Sequence, residues 1–214
     1  CELDKQGNIT EYKFAKTVIR SRVKGVYSEI NSLLAGSDDA ELKEKYAEVS
    51  GQLPIIKELA DILYKNKKNR GCPELETSES KLIINDEDIC VGVERRTRGR
   101  SEEIIEDFML VANECAARFG MDNNLPFVYR IHEEPSDEKL ESLREALVKL
   151  NVQYKLGEKA CPGDMSEILK AAKGTDIDLI MNNIVLRSMS KARYSTEPVG
   201  HFGLALEDYA HFTS

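Results

Sequence analysis

The 214-residue sequence has no run of about 18 apolar residues, which excludes a helical membrane span. Its opening, CELDKQGNIT, carries neither a basic start nor an apolar core, so it does not read as a secretory leader. No Gly-rich phosphate loop, nucleophile elbow or H-E-x-x-H motif occurs. Internal repeats and low-complexity linkers are also missing, and one domain over residues 1–214 is the simplest organisation. Cysteine is sparse: Cys1, Cys72, Cys90, Cys115 and Cys161 are far apart, odd in number and form no C-x-x-C pair. That pattern favours a reducing cytosol over a disulfide framework or a zinc site. His132, His201 and His211 are too few and too dispersed to assign a metal site, and each reads as a packed or surface side chain.

What is present is a chain with 41% hydrophobic residues, enough to bury a substantial core. The net charge of −8 argues against a protein that coats nucleic acid non-specifically, because such proteins gain affinity by neutralising phosphates. Local charge says more. Arg20, Arg22 and Lys24 form one basic cluster, Lys65, Lys67, Lys68 and Arg70 a second, and Arg95, Arg96, Arg98 and Arg100 a third. Such clusters are usually solvated faces, and all three lie beside expected element ends.

The stretch NITEYKFAKTVIRSRV alternates apolar and polar positions and is rich in β-branched residues, which predicts a strand over about 9–22. The KQGN before it has hairpin-turn chemistry and implies a partner strand in CELD. Ser37, followed by Asp38 and Asp39, predicts a helix start, and Leu42, Tyr46, Val49, Leu53, Ile56, Ala60 and Leu63 come after it at spacings of three and four. Pro54 predicts a kink or two consecutive helices, and Gly71 an end. SKLIINDEDICVGVE reads as a hairpin. A mostly apolar helix is expected from Ser101 to Gly120, then a short strand in LPFVYRIHEEP, an amphipathic helix in SDEKLESLREALVKLN, and helices over about 164–173 and 176–192. The terminal HFGLALEDYAHFTS reads as a strand running into a functional turn. The mixed order predicts an α+β fold with a largely antiparallel mixed sheet packed by helices.

Glu106 stands out on residue chemistry alone: a carboxylate among apolar neighbours on a packed helix needs a partner or a task. Asn113, two turns on, would share its face. The alternative is a helix whose polar stripe simply meets solvent. Glu207 and Asp208 are adjacent, and on a strand they would point to opposite faces, so they would not hold one ion together.

Three segments, in order, resemble the catalytic domain of the ribonuclease II and ribonuclease R family: AKTVIRSRVKGVYSEIN, RSEEIIEDFMLVANECAARF and LRSMSKARYSTEPVGHFGLALEDYAHFTS. YRIHEEPSDEKLESL fits as well, so the likeness covers nearly the whole chain. The resemblance implies an incomplete catalytic domain of this type, cut at both ends. Its activity would be magnesium-dependent hydrolysis of single-stranded RNA from the 3′ end to nucleoside 5′-monophosphates, by a cytoplasmic monomer. It places Tyr27 where the family has an active-site tyrosine near the scissile phosphate, and Glu106 where it has a carboxylate beside the active site. Leu75 falls where several members carry a base-stacking phenylalanine; leucine has no π face, so the clamp is weakened. The cluster with Arg22 would line the RNA channel, and Ser214 lies in a motif that continues in the family to an RNA-contacting arginine. The family's aspartate cluster, which binds magnesium, precedes the strand that opens this chain, so no metal ligand is assigned here and the chain alone is expected to be inactive. The competing expectation is a catalytically inactive RNA-binding or regulatory relative with the same fold.

Overall fold

The structure, a computed structural model, describes residues 1–75, 79–96 and 98–213. It is an α+β protein of helices and antiparallel strand pairs, and among the described residues the strands form three separate two-stranded pairs rather than one sheet. Cα packing divides the chain into two compact units. The first comprises Cys1–Ala15, Asp61–Leu75 and Asp107–Ser214, the second Lys16–Ala60 and Glu76–Glu106.

The first unit opens with the expected hairpin, β1 (Glu2–Leu3) against β2 (Ile9–Glu11). Asp4 ties the turn: its Oδ1 accepts from the N–H groups of Gln6 and Asn8 at 2.9 and 2.8 Å, and Gly7 supplies the left-handed φ of +83°. The long strand expected over 9–22 is a correction. It ends at Glu11, because among the described residues no neighbouring strand pairs with 12–26, and alternation without a partner leaves the ladder unmade. Beyond Glu11, side chains anchor the backbone instead. The Tyr12 hydroxyl donates to Asp122, and Phe14 packs on Phe119 with ring centroids 5.2 Å apart.

The main core lies among α5 (Asp137–Lys149), α6 (Pro162–Ala172) and α7 (Asp178–Ser188). Leu140, Leu143 and Leu147 present one face of α5 to Met165, Ile168, Met181 and Val185. Each such side chain contributes about 1.5–3 kcal/mol on burial. Pro162 sits in the first turn of α6, where its missing N–H costs nothing, and Asp164 accepts from the Cys161 N–H at 2.6 Å. A smaller cluster joins Ala117 of α4 (Arg100–Asp122) to Tyr129 and Ile131 of β5 (Tyr129–Ile131). Gly120 does not end α4; a Cβ there would lie 2.7 Å from Phe127 Cγ, so this glycine admits an aromatic ring rather than stopping the helix. β5 pairs with β6 (Arg193–Ser195), a strand the sequence did not reveal.

In the second unit α1 (Tyr27–Leu34), also unforeseen, precedes α2 (Ala40–Lys45) and the start of α3 (Leu53–Asn69). The cap of α2 is Asp39, whose side chain accepts from the N–H groups of Glu41 and Leu42, while Ser37 accepts from Asp39 N–H. Pro54 falls in the first turn of α3, so the expected pattern resolves into two helices with a 3-10 turn, Ser50–Gln52, between them. β3 (Glu79–Ile84) and β4 (Cys90–Arg96) form the expected antiparallel hairpin around the polar turn.

Candidate functional site

In the second unit the first two family-like segments are joined at the start of α4. Ser101, buried, donates its hydroxyl to the Tyr27 carbonyl at 3.0 Å and its N–H to Asn31 Oδ1 at 2.8 Å. Asn31 donates to Glu102 at 3.0 Å, and Glu102 also accepts from the Gly99 N–H at 3.1 Å. Burial alone would raise the Glu102 carboxyl, but the hydrogen bonds from Asn31, Ser101 and Gly99 hold it below its ordinary range. Glu102 and Glu103 in the first turn also meet the positive end of the helix dipole. This mesh fixes the backbone of Tyr27, the first residue of α1, and leaves its side chain exposed.

Glu106 lies one turn further along α4. The burial expected of it is a correction: its side chain is 48% exposed and accepts from Arg98 at 3.2 Å. The buried carboxylate is its neighbour Asp107, in the first unit, 3% exposed and paired with Lys67 Nζ at 2.9 Å. Ile104 is buried and Ile105 is not, so the inward face of α4 runs through Ile104 and Asp107, three residues apart. The second Asp107 oxygen is buried without a hydrogen-bond partner. Removing either partner of a buried pair costs about 3–5 kcal/mol, so the pair anchors α3 to α4 in this unit. It lines a cleft of about 190 Å³ together with Asn66, Arg70, Glu114 and Arg118. Burial pushes the Glu114 carboxyl up, against the opposing pull of Arg118 and Arg70.

Also in the first unit, Asn113 clasps the third segment. Its buried amide donates to the Tyr209 hydroxyl at 3.1 Å, and its Oδ1 accepts from Phe212 N–H, Thr213 N–H and the Thr213 hydroxyl at 3.0, 2.9 and 3.0 Å. The terminal strand is a correction too. Phe202–Leu204 is a 3-10 turn closed by Ala205 in the left-handed conformation, and His201 makes isolated bridges to Leu206 and to His132. His132 accepts from the Gly203 N–H at 3.0 Å, and the His132 and His201 rings meet edge to face at 5.0 Å. Burial, then the neighbouring His132, lowers His201 to about 4. A Cβ at Gly203 would lie 2.6 Å from His132 Nδ1, so the glycine is what lets the turn close on the ring.

The remaining sequence-derived residues are dispersed. Arg22 is exposed in the second unit and pairs with Glu48 at 3.0 Å. Leu75 is half-buried in the first unit and packs against the helical core of α5 to α7. Ser214 lies outside the described residues. Tyr27, Arg22 and Glu106 thus share one unit, while Leu75 belongs to the other. Sequence reasoning passed over Asn31 and Asp107, and gave Ser101 only as a helix start and Tyr209 only as part of the terminal segment. Only Asp107 had a signal, its phase with Ile104. No three His, Cys, Asp or Glu side chains gather to hold a metal ion among the described residues.

The family model described as RNB domain matches residues 1–214. The chain belongs to the RNB domain family. Ribonuclease R 1 of Lactococcus lactis subsp. lactis is 36% identical over 217 residues, and the match covers 100% of this chain and 26% of that protein. Ribonuclease R of Escherichia coli is 36% identical over 216 residues with the same two coverages, 100% and 26%. The chain therefore spans about a quarter of the length of these two RNB relatives. Among solved structures, Mycoplasma genitalium RNase R in complex with ribose methylated single-stranded RNA superposes with a TM-score of 0.80 at 27% identity, over 88% of this chain and 29% of that one.

Proposed function

We propose that this chain is part of a magnesium-dependent exoribonuclease that hydrolyses single-stranded RNA from its 3′ end, releasing nucleoside 5′-monophosphates. The observation that carries this reading is the RNB family match over the whole chain, with its signature segments tied together by Ser101 in one unit and Asn113 in the other. Tyr27, with a fixed backbone and an exposed ring, orients the 3′-terminal nucleotide. Glu106, exposed one turn beyond Glu102, accepts a hydrogen bond from the attacking water. Arg22 contacts phosphate, Leu75 gives apolar contact without stacking, and Ser214 belongs to the RNA-facing end of its motif. In this reading the magnesium ligands lie outside the described residues, and the chain alone is inactive. The intact enzyme works as a cytoplasmic monomer. No helix among the described residues is long and apolar enough to cross a membrane.

Leu75 gives a second reading its footing: without a π face at that position, an inactive RNA-binding relative would need no clamp at the reacting end. A degradation time course of 5′-labelled single-stranded RNA, with and without magnesium, separates the two. The intact protein should give a ladder shrinking from the 3′ end, slowed in Glu106→Ala and Tyr27→Ala. Binding without shortening would favour the inactive relative, and magnesium-dependent shortening by the 214-residue chain would refute its inactivity.

A further inference from the structure

Phe212 is 55% exposed, yet its place is fixed from two sides. Its N–H donates to Asn113 Oδ1 at 3.0 Å, and Thr213 brings two more donors to the same oxygen at 2.9 and 3.0 Å. Asn113 itself is only 1% exposed, so the oxygen that receives these bonds lies inside the first unit. On the other side the Phe212 ring meets Phe14 edge to face at 5.3 Å, and Phe14 is in turn packed on Phe119. An edge-to-face contact covers at most one face of a ring, so Phe212 keeps an open π face. Positive charge stands close along the chain. Lys13, exposed, precedes Phe14, and His211, which precedes Phe212, meets Tyr194 at 3.2 Å under the Arg130 guanidinium, 4.7 Å from the Tyr194 ring.

An exposed aromatic ring on an anchored backbone, with Lys13 and Arg130 among its neighbours' neighbours, offers an unpaired nucleobase a face to stack on and charge for the adjoining phosphate. We propose that Phe212 is a stacking platform for an unpaired base of single-stranded RNA, and that Asn113 is its positioning residue. The proposal rests on the RNA reading above. Stacking of this kind tolerates every base, because each has a π face.

The test titrates the intact protein, with magnesium withheld, with short single-stranded RNAs that carry 2-aminopurine at one position each, a base whose fluorescence falls on stacking. Wild type should quench one position. Phe212→Trp should keep the quench, and Phe212→Leu, which keeps apolar bulk but no π face, should lose it with about 5- to 150-fold weaker binding. Asn113→Ala should lose the quench as well; because Asn113 is buried, the Leu and Trp pair stands on its own should that variant unfold. Binding without quench at any position, or an unchanged quench in Phe212→Leu, overturns the platform and spares the RNA reading. No RNA binding by wild type overturns both.

Discussion

Burial keeps the His201 imidazole neutral. An unfolded histidine titrates near 6.5 and His201 near 4, so between these values the folded chain binds fewer protons than the unfolded one. The stability it allows is whole above about pH 6.5 and is lost as pH falls toward 4, by on the order of 3 kcal/mol. His132, lowered in the same direction by burial, adds to the loss. Carboxylates such as Glu29 and Glu133, held low by Lys45 and Arg193, lose their contribution only at lower pH. Urea midpoints measured between pH 7 and 5 should therefore drop in wild type and drop less in His201→Gln. Parallel losses in the two proteins would place the titrating group elsewhere.

Among elements, the glycines after helices separate two costs. Gly71 and Gly174 both have left-handed φ, +81° and +74°, but a Cβ at Gly71 would lie 2.8 Å from the Gly163 Cα, whereas nothing stands within 4 Å of one at Gly174. Gly174→Ala should destabilise by about 1–2 kcal/mol, the left-handed penalty alone, and Gly71→Ala by about 3 kcal/mol or more, since backbone must move. Equal losses in chemical denaturation would mean that the α3 to α6 approach relaxes freely. The elements legible in the sequence are those whose own pattern stabilises them: the leucine face of α5, the Pro54 break, the β3–β4 hairpin. α1 was not legible because it has no side-chain cap and no buried residue; Ser101 and Asn31 hold it through tertiary bonds. The strand read into 12–22 had the right alternation and no neighbour to pair with. The resemblance pointed to Tyr27 and Glu106 as site residues, but the burial read into Glu106 was one residue out of phase. One residue is about 100° of rotation, which is the difference between exposed Glu106 and buried Asp107.

At the scale of the whole molecule the net charge of −8 means that any RNA contact is local. Arg22 is exposed and bonded to Glu48, an ion pair of small worth that a phosphate can replace. In the intact protein Arg22→Ala should weaken single-stranded RNA binding more at low salt than at high, with the log–log salt slope shallower by about 0.7. A loss independent of salt would count against a phosphate contact.

The division into two units has a consequence for synthesis. The first unit is threaded through three stretches of sequence, and its opening hairpin leaves the ribosome long before its partners: Asn8 waits 58 residues for Asn66, and Tyr12 waits 110 for Asp122. The second unit is complete once Glu106 has emerged. Loop closure itself is far faster than chain elongation, so neither contact can form before its later partner has been synthesised, and synthesis sets the wait. Within the first unit residues Cys1–Ala15, with Tyr12 and Phe14 unburied, therefore wait longest for the residues they pack against, the interval in which a chaperone would meet them.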